Sequence, residues 1–143
     1  MQAAVSNKEL LKDAYRQWHE TKGASVETWM DLLAPDASFR SIGEGLQGGE
    51  FAATQSDRES IRNYFDVLRR TWSMEFWEVH EMIAEGDQVA MLGRCSWTNK
   101  ATQKTIETPV AAFWRFRDGK AIAYFETYDT HRMVQAATAD PIM

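Results

Sequence analysis

Apolar residues recur at helical spacing in three segments of the first half of the chain. The first segment begins at a capping box that Ser6 opens and ends at Gly23. The second lies between Ser25 and Pro35, and the third begins at another capping box, opened by Ser56. Each segment carries one apolar stripe and therefore predicts an amphipathic helix.

From about residue 73 the apolar period changes to two. Four alternating segments follow, joined in two pairs by the turns EGD at 85–87 and DGK at 118–120. Each pair predicts a β-hairpin. Helices followed by a meander of long strands predict an α+β fold, in which an antiparallel sheet packs against three helices.

The stretch between the predicted short strand ASFRSIG and the third helix has no clear period. It spans residues 44–55 and holds three of the eight glycines. A loop of this kind often covers a binding site, so the sequence predicts a mobile segment that could act as a lid.

The size and composition of the chain indicate one ordinary domain. With 143 residues, 44% of them hydrophobic and 26% charged, residues 1–143 predict a single domain with a core at about 7–137 and a short C-terminal tail. A formal net charge of -5 argues against nucleic acid as a partner. The first residues lack the apolar run of a signal peptide, so we expect a cytoplasmic protein that does not bind membranes.

The sequence gives no indication of a metal or cofactor. Cys95 is the single cysteine and has no partner at metal-ligand spacing. The glycine-rich stretch GEGLQGG does not match a phosphate loop or a dinucleotide fingerprint. We therefore predict a protein without metal or cofactor.

A carboxyl group lies in the middle of the last predicted strand, which runs from Ala121 to His131. Alternation places Glu126 on the same face as Tyr124 and Tyr128. Burying an unpaired carboxylate among aromatic rings is costly. Glu126 therefore indicates either a pocket or a structural ion pair, for which Arg94 is the candidate partner.

The face of the first hairpin depends on its register. Symmetric pairing around residues 85–87 sets Ile83 against Val89 and Glu78 against Arg94, and puts His80 on the face of the last two. If that even-numbered face points inward, it brings polar groups to the pocket. The odd-numbered face is more apolar, so the opposite orientation, with His80 and Arg94 facing solvent or a partner subunit, stays open.

The order of elements resembles the SnoaL-like family of the nuclear transport factor 2-like superfamily. The phrases that carry the resemblance are WMDLLAPDASFRS, AEGDQVAML and FWRFRDGKAIAYFETYD, within a match that covers about residues 7–137. The resemblance implies a cone-shaped curved sheet wrapped around helices, with a pocket at the wide end and a homodimer packed through the sheet. Its relatives include ketosteroid isomerases, limonene epoxide hydrolases and polyketide cyclases.

The resemblance also implies site residues. Glu126 falls on a catalytic acid of the epoxide hydrolases and Arg94 on their catalytic arginine. Tyr124 and Tyr128 resemble residues that line the pocket of ketosteroid isomerases.

Other acids of these relatives are missing from this sequence. Their positions fall on Ser96 for the epoxide hydrolases, and on about Ser41 and Pro109 for the isomerases. Neither of these two named activities is therefore expected.

We predict an enzyme without a cofactor that acts on an apolar cyclic or aromatic metabolite, as an isomerase, lyase or hydrolase, by general acid–base chemistry. The predicted catalytic residues are Glu126, His80 and Arg94. The predicted pocket residues are Tyr15, Trp18, Phe39, Phe76, Glu78, Phe113, Tyr124 and Tyr128. Two other hypotheses are a binding protein that uses the same pocket without chemistry and a purely structural dimerisation domain.

Overall fold

The computed structural model describes residues 6–141 and contains four helices and five strands in that range. The helices are α1 (Asn7–Glu20), α2 (Val26–Leu32), α3 (Arg58–Thr71) and α4 (Thr130–Ala137). The strands are β1 (Leu33–Ser41), β2 (Trp72–Glu85), β3 (Gln88–Asn99), β4 (Thr105–Arg117) and β5 (Lys120–Tyr128). A short 3-10 helix spans Glu50–Ala52 in the glycine-rich loop. The predicted α+β class is confirmed.

The five strands form one sheet in the order β1-β5-β4-β3-β2. The three pairings among β2, β3, β4 and β5 are antiparallel, as hairpin connections require. The pairing of β1 with β5 is parallel. The expectation of a wholly antiparallel sheet was therefore wrong, because no hairpin joins β1 to β5 and most of the chain lies between them.

The apolar stripes of α1 and α3 form the inner layer against the sheet. Ser6 caps α1 by accepting a hydrogen bond from the Glu9 amide at 3.1 Å. Helix α3 is capped by Asp57, which accepts from the Ser60 amide at 2.8 Å, and not by Ser56 as predicted. The buried side chains of the two helices are Leu11, Ala14, Tyr15, Trp18, Ile61, Tyr64, Phe65 and Leu68.

Helix α4 replaces the predicted end of the last strand and extends to the end of the predicted core. Strand β5 stops at Tyr128, and Asp129 accepts a hydrogen bond from the Arg132 amide at 3.0 Å, which starts the helix. Met133 and Ala136 lie three residues apart and are both buried. One face of this short helix therefore packs against the core.

Strand β2 carries two β-bulges that determine which side chains point inward. The pairing of Glu78 with Arg94 is as predicted, whereas Ile83 lies opposite Ala90 and not opposite Val89. The register shifts between Met74 and Phe76, and again between Val79 and Glu81. Each bulge adds one residue, so each reverses the parity of the inward positions along β2.

Strand β3 has no such interruption against β4, and its odd-numbered face is the buried one. Met91 is 0% exposed and Cys95 is 3% exposed, whereas Leu92 is 41% exposed. The more apolar of the two alternating faces is therefore the inner face. No helix in the part of the chain described here is both long and apolar enough to cross a membrane.

Candidate functional site

The helices and the inner face of the sheet line a cavity of about 70 Å³. This is several times the 10–15 Å³ that one water molecule needs, so the cavity has room for a few water molecules or for a compact part of a ligand. Its wall is formed by Tyr15, Trp18, Trp29, Phe39, Phe51, Tyr64, Phe65, Leu68, Trp72, Trp77, Cys95, Trp97, Ile106, Thr108, Val110, Trp114, Tyr124, Glu126, Tyr128 and Met133. Thirteen of these twenty residues are aromatic.

Glu126 is the one residue with a carboxyl group among those that line the cavity. The parallel pairing of β1 with β5 sets it opposite Ser41, and its carbonyl accepts from the Ile42 amide at 3.0 Å. Its carboxylate accepts hydrogen bonds from the hydroxyls of Tyr64, at 3.2 Å, and Tyr124. Both oxygens are therefore bonded to neutral donors from α3 and β5.

Further hydroxyl groups lie in the cavity wall or directly behind it. The hydroxyls of Ser41 and Tyr128 share a hydrogen bond of 2.6 Å. The Tyr15 hydroxyl accepts a hydrogen bond from the Trp114 indole at 3.0 Å. The wall thus combines one acid with several neutral hydroxyls, in surroundings that are otherwise apolar.

Burial raises the pKa of Glu126 above its ordinary value, because the charged form loses its hydration. The hydrogen bonds from Tyr124 and Tyr64 oppose this rise but do not cancel it. Burial likewise raises the pKa of Tyr64 and Tyr124, so both remain neutral donors. A carboxyl group with a raised pKa is suited to giving and taking protons nearer to neutral pH.

The raised pKa of Glu126 predicts a specific dependence of stability on pH. Above the ordinary glutamate pKa of 4.5, the folded state holds the Glu126 proton more tightly than the unfolded chain does. The free energy of unfolding should therefore fall as pH rises through the window between 4.5 and the raised value. Each unit of that window corresponds to about 1.4 kcal/mol.

Urea unfolding of the wild type and of Glu126→Gln, measured in steps from pH 4 to pH 8, checks this prediction. The glutamine variant should become more stable relative to the wild type as pH rises. A difference between the two proteins that is constant over this range would contradict a raised pKa.

The structure brings together six of the residues predicted for the site. The cavity wall includes Tyr15, Trp18, Phe39, Tyr124, Glu126 and Tyr128. It does not include Phe76, Glu78, His80, Arg94 and Phe113. The sequence-based placement of these five residues in the pocket was wrong.

Arg94 and His80 lie away from the cavity, on exposed parts of the sheet. The Arg94 guanidinium bonds Glu107 on β4 at 2.6 Å, and His80 lies 3.2 Å from Glu78. The ion pair between Glu126 and Arg94, considered from the sequence, is therefore not formed. The even-numbered face of β3 points outward, and the two bulges of β2 place both Glu78 and His80 among its exposed residues.

Phe113 and its neighbour Trp114 exchange the roles that the sequence suggested. Phe113 is 38% exposed, whereas Trp114 is 1% exposed and lines the cavity. Trp114 pairs with Val89 across the sheet, on the face that the apolar residues of β3 share. Either aromatic residue satisfies the alternation, so only the register decides between them.

Sequence reasoning also missed two polar residues next to Glu126. The apolar stripe predicted for the third helix includes Tyr64. A buried tyrosine hydroxyl usually has a hydrogen-bond partner, and this was the signal for a polar neighbour. Ser41 reaches Glu126 through the parallel pairing, which no local pattern indicates. The glycine-rich loop contributes Phe51 to the wall, and its Gly48 carbonyl accepts from the Trp72 indole at 2.8 Å.

Solved structures share this architecture over nearly the whole chain. An NTF2-like protein of unknown function from Burkholderia pseudomallei matches with a TM-score of 0.82 and 20% identity, over 95% of this chain and 100% of that one. An NTF2-like protein from Burkholderia thailandensis matches with a TM-score of 0.79 and 26% identity, over 94% and 99% of the two chains. TerC, co-crystallised with polyporic acid, matches with a TM-score of 0.78 and 20% identity, over 92% and 97%.

Comparison with family models identifies the family of this chain. No curated protein matches this sequence. The SnoaL-like domain matches residues 12–125, from within α1 to the residue before Glu126 in β5, which is well over half of the chain. The chain therefore belongs to the SnoaL-like domain family and has its cone-shaped NTF2-like fold.

Proposed function

We propose that this protein is an enzyme without a cofactor that binds a small apolar cyclic or aromatic metabolite in the cavity and acts on it through Glu126. The observation that carries the proposal is the setting of this carboxyl group. Glu126 is 9% exposed, lines an aromatic cavity and is hydrogen-bonded by two neutral hydroxyls. An acid that is buried without a cationic partner lowers the stability of the fold. Proton transfer to a bound ligand would be a functional reason for its position.

Glu126 serves in this proposal as a general acid or base. Tyr64 and Tyr124 hold the carboxylate from two sides and fix its orientation towards the ligand. Isomerisation needs only proton movement, and dehydration or hydration needs in addition only the release or uptake of a water molecule. None of the three needs an oxidant, so they suit a site of this composition. His80 and Arg94 have no part in it, because neither lines the cavity.

A structural neighbour supports the choice of a small organic ligand. TerC has the same fold and was co-crystallised with polyporic acid. The aromatic wall of the present cavity provides the apolar surface that such pockets use, together with a few polar groups that fix orientation.

A ligand screen followed by a turnover assay tests the proposal. Single-ring and fused-ring ketones, alcohols and alkenes are first tested for an increase in the melting temperature of the wild type. Compounds that stabilise the protein are then incubated with it and analysed by mass spectrometry and NMR for isomerised, dehydrated or hydrated products. If none of the stabilising compounds gives a product, even after long incubation, the proposal that the protein is an enzyme is wrong.

A binding protein without catalysis is the second candidate. The observation in its favour is that Glu126 is the one carboxyl group of the cavity wall, whereas Ser41 and Ser96 stand where the resemblance places acids of catalytic relatives. Such a protein would be stabilised by its ligand and would return it unchanged. The turnover assay therefore separates the two candidates.

We also propose that the outer face of the sheet forms a homodimer. Ile83, Leu92 and Phe113 are 56%, 41% and 38% exposed. Pairing places them on adjacent strands of this face, since Ala90 pairs with both Ile83 and Phe113. Exposed apolar residues that cluster on one face are typical of subunit contacts.

The variant Phe113→Arg is expected to convert a dimer to a monomer, because it places a charge in the centre of the contact. Light scattering after size exclusion should give twice the 16.4 kDa chain mass for the wild type and the single chain mass for the variant. Ile42→Arg is the control, since Ile42 is 43% exposed but lies on the loop after β1. A dimer that survives Phe113→Arg would exclude this face.

A further inference from the structure

The cavity wall carries an acid without any basic side chain to balance it. Its twenty residues include Glu126 but no lysine, arginine or histidine. Arg94 on β3, the partner considered from the sequence, points to the outer face and bonds Glu107 at 2.6 Å. An ionised Glu126 therefore leaves the interior with an uncompensated negative charge.

That charge acts on the whole cavity. It adds to the larger effect of burial in raising the pKa of every other titratable side chain of the wall, namely Tyr15, Tyr64, Cys95, Tyr124 and Tyr128. The same field opposes any anionic ligand, which would also lose its hydration on entry. A cationic ligand would regain part of its hydration energy from the attraction to Glu126.

The aromatic rings of the wall add a second attraction for a cation. Ring faces carry partial negative charge and bind ammonium groups, most strongly where water is excluded. Within the described chain, Trp72 and Tyr128 line the cavity without stacking on another ring. The arginine–ring contacts found in that part, of Arg40 and Arg115, involve Phe125 and Phe113 and not the rings of the wall.

We infer that the ligand of this cavity carries a positively charged amine or quaternary ammonium group, held between the aromatic rings and Glu126. The inference rests on the proposed function, since it concerns the ligand of the same site. The charge of the ligand would keep Glu126 in its ionised form and so assign it the role of general base. The cavity of about 70 Å³ is small, so it favours the most compact groups of this kind.

Matched pairs of ligands that differ only in charge test this inference. Choline and 3,3-dimethylbutan-1-ol have the same shape, with a nitrogen cation in one and a neutral carbon in the other. Tetramethylammonium and benzyltrimethylammonium extend the cationic set, and 3,3-dimethylbutanoate provides the anion. Isothermal titration calorimetry of the wild type at low salt should give an affinity at least about tenfold higher for choline than for the alcohol, and no binding of the anion.

Two variants connect this preference to Glu126. In Glu126→Gln the affinity for choline should fall to that of the neutral alcohol, while the affinity for the alcohol stays within about twofold. In the control Glu107→Gln, which removes an acid from the outer face, the preference for the cation should remain. Circular dichroism and a melting curve confirm that each variant is folded before it is titrated.

The outcomes separate this inference from the proposed function. If the neutral ligands bind as tightly as the cations, or if no cation binds while ring compounds do, the inference is wrong and the proposed function stands. If neither cations nor ring compounds bind, both are wrong. A preference for the cation that survives in Glu126→Gln would also overturn the inference, because Glu126 would not be its source.

Discussion

Glu126→Gln is expected to lower the turnover of the cavity's substrate by about 10²- to 10⁴-fold, the usual contribution of a general acid or base. Glutamine has the same shape as glutamic acid and can still accept a hydrogen bond from Tyr64 or Tyr124. The affinity for an uncharged substrate should therefore change by no more than a few-fold. Steady-state kinetics, with binding measured separately, gives the two effects.

Glu78→Gln is the matched control for this experiment. Glu78 was assigned to the pocket from the sequence, but its side chain is 55% exposed and accompanies His80 outside the cavity. Its replacement should leave turnover within twofold of the wild type. Equal loss in both variants, or full activity in Glu126→Gln, would mean that proton transfer does not depend on Glu126.

Trp114→Ala is expected to lower the free energy of unfolding by about 3–5 kcal/mol, the usual cost of removing a large buried ring. Trp114 is 1% exposed and stacks on Trp29, with 5.4 Å between the ring centres. Its indole also donates to the Tyr15 hydroxyl at 3.0 Å, which connects β4 to α1. Urea unfolding at a fixed pH measures the loss from the midpoint and the slope.

The adjacent residue provides the control for the effect of burial. Phe113→Ala should cost about 1 kcal/mol or less in the monomer, since this ring is 38% exposed and its removal opens no cavity. Measurements at two protein concentrations separate any contribution of the dimer, which depends on concentration. A loss in Phe113→Ala as large as that in Trp114→Ala would contradict the assignment of inner and outer faces on β4.

The helices at the start of the chain could be predicted because their signals are local. The cap at Ser6 and the spacing of the apolar residues in α1 lie within about four turns of chain. The same holds for α3, apart from a shift of its cap by one residue to Asp57. The class of the fold followed from the order of such segments and from the hairpin turns.

The inward-facing positions of β2 could not be predicted, because an alternating sequence pattern does not show where a β-bulge lies. One extra residue between Met74 and Phe76, and another between Val79 and Glu81, reverse the inward positions twice. Symmetric pairing about the turn ignores such insertions. The higher apolar content of the odd-numbered residues of β3 was the signal that pointed to the correct inner face.

The polar part of the site depends on contacts between distant parts of the chain. Glu126 could be assigned to the cavity from its own strand, because Tyr124 and Tyr128 share its alternate positions. Its neighbours Ser41 and Tyr64 come from β1 and α3, and the parallel pairing of β1 brings the first of them into place. A single strand therefore predicts the acid but not the hydroxyls around it.

The position of the tryptophans gives this protein an optical signal for occupancy of the cavity. The sequence contains six tryptophans, and all six line the cavity wall: Trp18, Trp29, Trp72, Trp77, Trp97 and Trp114. None of the emission therefore comes from an indole elsewhere in the chain. Any molecule that enters should change the intensity or wavelength of the fluorescence, so that entry and exit can be timed by stopped flow without a dye.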